Sequence, residues 1–168
     1  MSKKQKRFFS LIVIALMLSS VTLFAGMKQW RWSKYKLKFK LHSSMKPTKS
    51  NSRVFIAKGH GIVFKLQPYK RIRAGVDARY LANYGYRTYT ILRNKTIISR
   101  RALDSRRYMI YGQGYYKGRK AYFGIFGVKS TTSLRGVYAR TWWFARSRYA
   151  RSNKRISYKI ARSVYFHR

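Results

Sequence analysis

Two carboxylates and three imidazoles are available for acid–base chemistry in this chain: Asp77 and Asp104, and His42, His60 and His167. Glycoside hydrolysis generally needs two carboxyl groups flanking one bond, and two isolated Asp residues give no sign of such a pair. The imidazoles lack the spacing of a metal-ligand set. Gly59-His60-Gly61 either presents an imidazole for catalysis or simply turns the chain, and flanking Gly residues are turn chemistry. A triad of Asp77 or Asp104 with His60 and a Ser stays open, but no nucleophile-elbow pattern surrounds any Ser. Gly112-Gln113-Gly114 lacks the third Gly and the helix of a dinucleotide loop. Asn94-Lys95-Thr96 is a glycosylation sequon, relevant only to a eukaryotic secretory route. The Asp residues read better as helix caps or as partners for Arg79 and Arg106. The expectation is a non-enzymatic protein with no metal and no cofactor.

The stronger signal is cationic. Forty Lys and Arg against two acidic residues give a formal net charge of +38 on 168 residues. Such a chain repels itself, so an anionic partner is implied. Cations interleave with aromatics along its length. Arg100, Arg101, Arg106 and Arg107 form two pairs. Tyr115 and Tyr116 precede a basic turn, and Arg140 precedes Trp142 and Trp143. Arg146, Arg148, Arg151, Lys154, Arg155 and Lys159 follow. Arg forks grip phosphate in pairs of bonds, and aromatic faces stack on sugars or bases. Teichoic acid, anionic phospholipid and nucleic acid all suit that chemistry.

The elements that carry these residues begin with an apolar run. Lys3, Lys4, Lys6 and Arg7 precede twenty uncharged residues from Phe8 to Met27. As a helix rising about 1.5 Å per residue, that run spans roughly 30 Å of hydrocarbon. Residues 1–27 therefore read as a signal peptide or a membrane anchor, with contact to a membrane through residues 8–27 and an extracytoplasmic location. Residues 28–53 read as a basic stem and polar linker. Within it Lys34, Lys36, Lys38 and Lys40 alternate with Tyr35, Leu37, Phe39 and Leu41. Period two places the ammonium groups on one face of a strand and the apolar groups on the other. Trp30 and Trp32 stand where an interfacial aromatic belt would be. The alternative is an ordinary half-buried strand whose Lys residues block edge pairing.

Residues 54–168 read as one β-rich basic domain. Expected strands are Val54–Ala57, Gly61–Leu66, Tyr86–Leu92, Lys95–Ser99, Arg107–Tyr111, Lys120–Val128, Gly136–Arg146 and Arg155–Phe166, with Gly near the turns. Arg93-Asn94-Lys95 is a hairpin candidate. Asp77 could cap one short helix that Gly85 would stop. In the last segment Ile156, Tyr158, Ile160, Val164 and Phe166 fit a strand, against three positions for a helix. The expected fold is all-β, an antiparallel meander forming a small barrel or sandwich behind an N-terminal hydrophobic helix. No Cys is present, so there are no disulfides and no lipid-modified Cys.

Lys3 to Ala25, the Tyr- and Lys-rich strands, and Leu134-Arg135-Gly136-Val137-Tyr138 followed by Trp142-Trp143 resemble small basic exported proteins of Gram-positive bacteria. That resemblance implies a surface location. The functional expectation is an exported or membrane-anchored protein associating with anionic envelope polymers or lipids. Its rivals are a nucleic-acid-binding protein and a secreted, membrane-active cationic toxin.

Overall fold

Period-two alternation builds most of this molecule. The computed structural model describes residues 26–69, 75–130 and 135–167. Along them run β1 (Met27–Trp32), a 3₁₀ turn (Ser33–Tyr35), β2 (Leu37–His42), β3 (Lys46–Ser50), β4 (Phe55–Gly59) and β5 (Ile62–Tyr69). Then come α1 (Ala78–Arg87), β6 (Arg93–Asp104), β7 (Arg107–Tyr116), β8 (Arg119–Lys129), β9 (Gly136–Phe144), α2 (Ala150–Ser163) and β10 (Tyr165–Phe166). Every strand pairing is antiparallel. One sheet has seven strands in the order β3-β4-β5-β9-β8-β7-β6, and the other has three in the order β1-β2-β10.

The chain is mostly strand, as expected, but the sheets do not close into a barrel. The large sheet stays open, with β3 and β6 at its edges. Its two faces are covered differently. Ile62, Phe64, Leu66, Phe126, Ala139 and Trp143 share one core with Leu37, Phe39 and Leu41 of the small sheet and Ile156, Ile160 and Ala161 of α2. On the opposite face, Ile110, Ala121, Phe123 and Ile125 pack with Ala82 of α1 and the following Tyr89 and Leu92. Helix, sheet, and a mixed layer of small sheet and helix thus form three layers.

Glycines inside strands set the helix-to-sheet distance. Gly127 lies within β8, where a Cβ would fall on the Ala78 carbonyl oxygen and the Ala82 backbone nitrogen of α1. Gly124 likewise leaves room for the Ser157 hydroxyl of α2. Gly112, Gly114 and Gly127 lie inside strands, where backbone or rings approach them closely.

Four further expectations are corrected. Arg155–Phe166 is helical up to Ser163. Asn153 and Ser157, polar residues that a strand would expose, are fully buried. Asn153 Nδ2 donates to the His60 carbonyl (3.1 Å), and the Ser157 hydroxyl pairs with that of Thr141 (2.6 Å). Counting them as inward restores the helical spacing with Ile156, Ile160 and Ala161. Tyr86–Leu92 is the last turn of α1 and a loop, not a strand. Asp77 does cap α1, accepting from the Tyr80 N–H at 2.6 Å, but Gly85 sits within the helix against Ile125 and Tyr138. Arg93-Asn94-Lys95 opens β6 instead of forming a hairpin. β6 shifts register against β7 between Arg93 and Thr96, between Ile97 and Ser99, and between Ala102 and Asp104.

Candidate interaction surfaces

Adjacent residues of a strand face opposite ways, and this sorts the expected site residues. Arg140 is only 6% exposed and belongs to the core. Its Nε donates to the Gly85 carbonyl (3.1 Å), Nη1 to Gln67 Oε1 (3.1 Å) and Nη2 to Thr88 Oγ1 (2.5 Å). Its guanidinium also lies 5.1 Å from the ring centroids of both Tyr89 and Tyr138. Burial works against that charge, and neutral acceptors with two π faces answer it in place of a carboxylate. Its forks are occupied, so Arg140 is not a polyanion contact. Trp32 and Trp143 are buried at 4% and 0% and are removed from the aromatic contacts for the same reason. Trp30 is half-buried against Phe55.

The helix α2 gathers what a strand would have divided. Arg151, Lys154, Arg155, Lys159 and Arg162 are exposed along it, and the helix contains no acidic residue. Its buried face is Asn153, Ile156, Ser157, Ile160 and Ala161. Lys154 Nζ lies 4.9 Å from the Tyr111 ring centroid, and the Arg101 guanidinium 6.0 Å from that of Tyr158. Arg107 Nη1 donates to the Arg162 carbonyl and Nε to Asp104 Oδ2 (2.6 Å). Burial opposes ionisation of Asp104. The Arg106 N–H and the Arg107 side chain outweigh it and hold the carboxyl below its usual range. Arg146 and Arg148 are exposed just before α2, and Arg148 lies over Tyr149 at 4.7 Å.

Other expected residues scatter. Arg100 pairs with Ile110 and Arg101 with Met109, so these neighbours serve opposite faces of the sheet. Lys34 and Lys36 are exposed at the turn between β1 and β2, Lys40 is exposed on β2 and Lys38 half-buried. Tyr116, Trp142 and Phe144 form a ring cluster at one end of the large sheet, with Tyr116 and Trp142 centroids 4.8 Å apart. Tyr115 is 45% exposed and borders an adjoining groove of about 690 Å³. His60 bonds Ser152 (3.3 Å) and stacks between His42 and Tyr149, which gives Gly59-His60-Gly61 a packing role.

A set of cations that sequence reading missed lies on β3, β4 and β5. Lys46 stands opposite Lys58, and Lys65 opposite Arg140, while Lys49 and Lys65 flank Ile56 in one row. Lys46, Lys49 and Lys58 are exposed. With Lys65 they come from three strands, so the only signal available was the polar phase of each alternation, without the register that aligns them.

The architecture defines an antiparallel α+β scaffold with uncompensated cations on both sides. Solved structures share the scaffold. The Saccharomyces cerevisiae Ran-binding protein Mog1p superposes with a TM-score of 0.63 at 5% identity, covering 84% of this chain and 96% of that one. A point mutant of protein Mog1 matches with a TM-score of 0.63 at 7% identity over 83% and 95% of the two chains. A Pseudomonas aeruginosa protein described as of unknown function, PA94, matches at 0.50 and 11% identity over 85% and 98%. The likeness is one of fold. No family model and no curated protein matches the sequence.

These findings correct the functional expectation. The described chain shares its fold with proteins of which one is described as Ran-binding, and none of these fold neighbours is described as binding envelope polymers or lipids. Among the described residues no helix is long and apolar enough to cross a membrane. Residues 1–25, which carried most of the signal-or-anchor expectation, lie outside the described residues, and Met27 opens β1. The membrane-active reading of Trp30–Leu41 fails on burial. Leu37, Phe39 and Leu41 are 0% exposed inside the core and offer no apolar face to a bilayer.

Proposed function

We propose that this chain is a non-enzymatic protein-binding module that docks an acidic protein surface through the exposed face of α2. The observation that carries this reading is a helix with Arg151, Lys154, Arg155, Lys159 and Arg162 outward and no acid of its own. Arg151 and Arg155, and Arg155 and Lys159, are like charges four residues apart, each pair destabilising by about 0.2–0.5 kcal/mol. Arg146, Arg148 and Arg151 crowd the helix N-terminus, where the peptide dipole is already positive. Carboxylates of a partner relieve both repulsions. The fold neighbour described as Ran-binding supports a protein as that partner.

The test is a lysine-acetylation footprint with a synthetic oligoglutamate of about eight residues, roughly 27 Å when extended. Lys154 and Lys159 should be protected, and the protection should fade as salt rises. Replacing Arg151, Arg155 and Arg162 with Gln should raise the peptide concentration needed at α2 by about tenfold, since exposed pairs contribute about 0.2–1 kcal/mol each. Unprotected α2 lysines, or protection by duplex DNA alone, would sink the reading.

A further inference from the structure

The lysines of β3 to β5 have no part in docking at α2, yet their arrangement is unfavourable in the isolated protein. Neighbouring strands lie about 4.8 Å apart, and like charges directly opposite each other destabilise a sheet. Here Lys46 faces Lys58 and Lys65 faces Arg140. The chain's two acidic side chains are engaged elsewhere, Asp77 at the N-cap of α1 and Asp104 with Arg107. Burial, then Arg140 and Lys49, press the Lys65 ammonium below its usual range, as expected for crowded cations. Val63 stands opposite Trp142 in the row that also holds Lys46 and Lys58, so the face has an apolar stripe among its charges. Among the described residues α1 packs mainly on β7, β8 and β9 and meets β5 at Tyr69, while Lys46, Lys49 and Lys58 are exposed.

Its orientation follows from strand parity. Thr141 bonds Ser157 of α2, whereas its neighbours Arg140 and Trp142 turn the other way, toward Lys65 and Val63. Phe64 and Leu66, which flank Lys65, are buried under the small sheet. The lysine face and the α2 face therefore look out from opposite sides of the large sheet. With layers about 10 Å apart, no single acidic surface patch covers both.

We infer that the outer face of β3, β4 and β5, built on Lys46, Lys49, Lys58 and Lys65, is a second docking surface for an acidic protein, so that the molecule bridges two acidic partners. This rests on the protein-binding reading of α2 and adds a second surface and the number of partners. A carboxylate-bearing surface suits Lys here because each ammonium is a mobile point charge on a flexible stem.

The experiment uses the full chain with beads coated in the same oligoglutamate. The wild-type protein should cross-link the beads, read as light scattering, and Lys46, Lys49 and Lys58 should be protected from acetylation along with Lys154. The variant Lys46→Gln/Lys49→Gln/Lys58→Gln changes exposed residues only. It should still bind beads through α2 but need roughly tenfold more protein to cluster them. The variant Arg151→Gln/Arg155→Gln/Arg162→Gln should likewise need roughly tenfold more protein to cluster the beads while keeping protection at Lys46, Lys49 and Lys58. Undiminished clustering by either variant overturns bridging. Protection at Lys154 without protection at Lys46, Lys49 and Lys58 overturns this inference alone and leaves the α2 reading standing. Loss of protection everywhere overturns both. Clustering of DNA-coated beads but not of oligoglutamate-coated beads assigns the face to nucleic acid and overturns the acidic-protein partner.

Discussion

The imidazoles of His42 and His60 lie one over the other with ring centroids 4.2 Å apart, tilted by 32°. His42 comes from the end of β2 and His60 from the turn between β4 and β5, so the contact ties the two sheets together. Tyr149 continues the stack on the far side of His60, at 4.1 Å. The Ser44 N–H donates to His42 Nδ1 (3.3 Å), so that nitrogen carries a lone pair in the native state.

Acid should therefore loosen this corner. Burial, then His60, then Lys159, hold the His42 pKa below its ordinary 6.5. The unfolded chain takes up a proton first as pH falls, so stability drops as pH descends through about 6.5 and is intact above it. Thermal melts between about pH 7.5 and about pH 5.5 should show this decline, and His42→Gln should flatten it. A melting temperature that rises on acidification would contradict the assignment.

Arg140 should matter to stability and not to anion binding. Arg140→Ala removes three hydrogen bonds and leaves a cavity between Tyr89 and Tyr138, for a loss of about 3 kcal/mol. For a domain of this size that is a fall of about 6–12 °C in Tm. Arg140→Lys should recover part of it, keeping the charge but losing the fork. Oligoglutamate binding by the folded Arg140→Lys protein should equal that of wild type; a marked loss would restore Arg140 as a contact residue.

Gly127→Ala tests the approach of α1 to β8. The added methyl meets helix backbone, which cannot rotate aside, so α1 must shift. Overpacking of this kind costs about 1–3 kcal/mol, seen as a lower denaturant midpoint. Gly118→Ala, at a turn with open space around it but a φ of 75°, should lose less, about 1 kcal/mol.

The helix cap separates charge from hydrogen bonding. Asp77→Ala should destabilise by about 1 kcal/mol, while Asp77→Asn keeps an acceptor for the Tyr80 N–H and should lose only a few tenths. Equal losses in the two variants would show that the dipole outweighs the bond.

Short runs rich in β-branched and aromatic residues were enough to read β4, β5, β7, β8 and β9, because strand preference is local to each element. The cap at Asp77 was equally local. The α2 helix was not legible, since its buried face includes Asn153 and Ser157, whose partners His60 and Thr141 are distant in sequence. Arg151, Lys154, Arg155 and Lys159 could be named as cations, but only the helix puts them on one surface. Arg140 and Trp143 were named for their types, but they lie on opposite faces of β9, a central strand covered on both sides, so both are buried. Lys46, Lys49, Lys58 and Lys65 became a group only through register across three strands, which no single segment encodes.

The three register shifts of β6 govern what happens once the charge is neutralised. A free protein at +38 keeps its copies apart by repulsion. An acidic partner abolishes that protection just where local concentration is highest, and β6 is a twelve-residue edge with Ile98 half exposed. A flat edge of that length would template a second copy strand by strand. The shifts spoil the even spacing of its outward amide and carbonyl groups, so no long in-phase ladder can grow from it. Resistance to fibril growth is thus written into backbone geometry, where neither salt nor a bound polyanion can erase it.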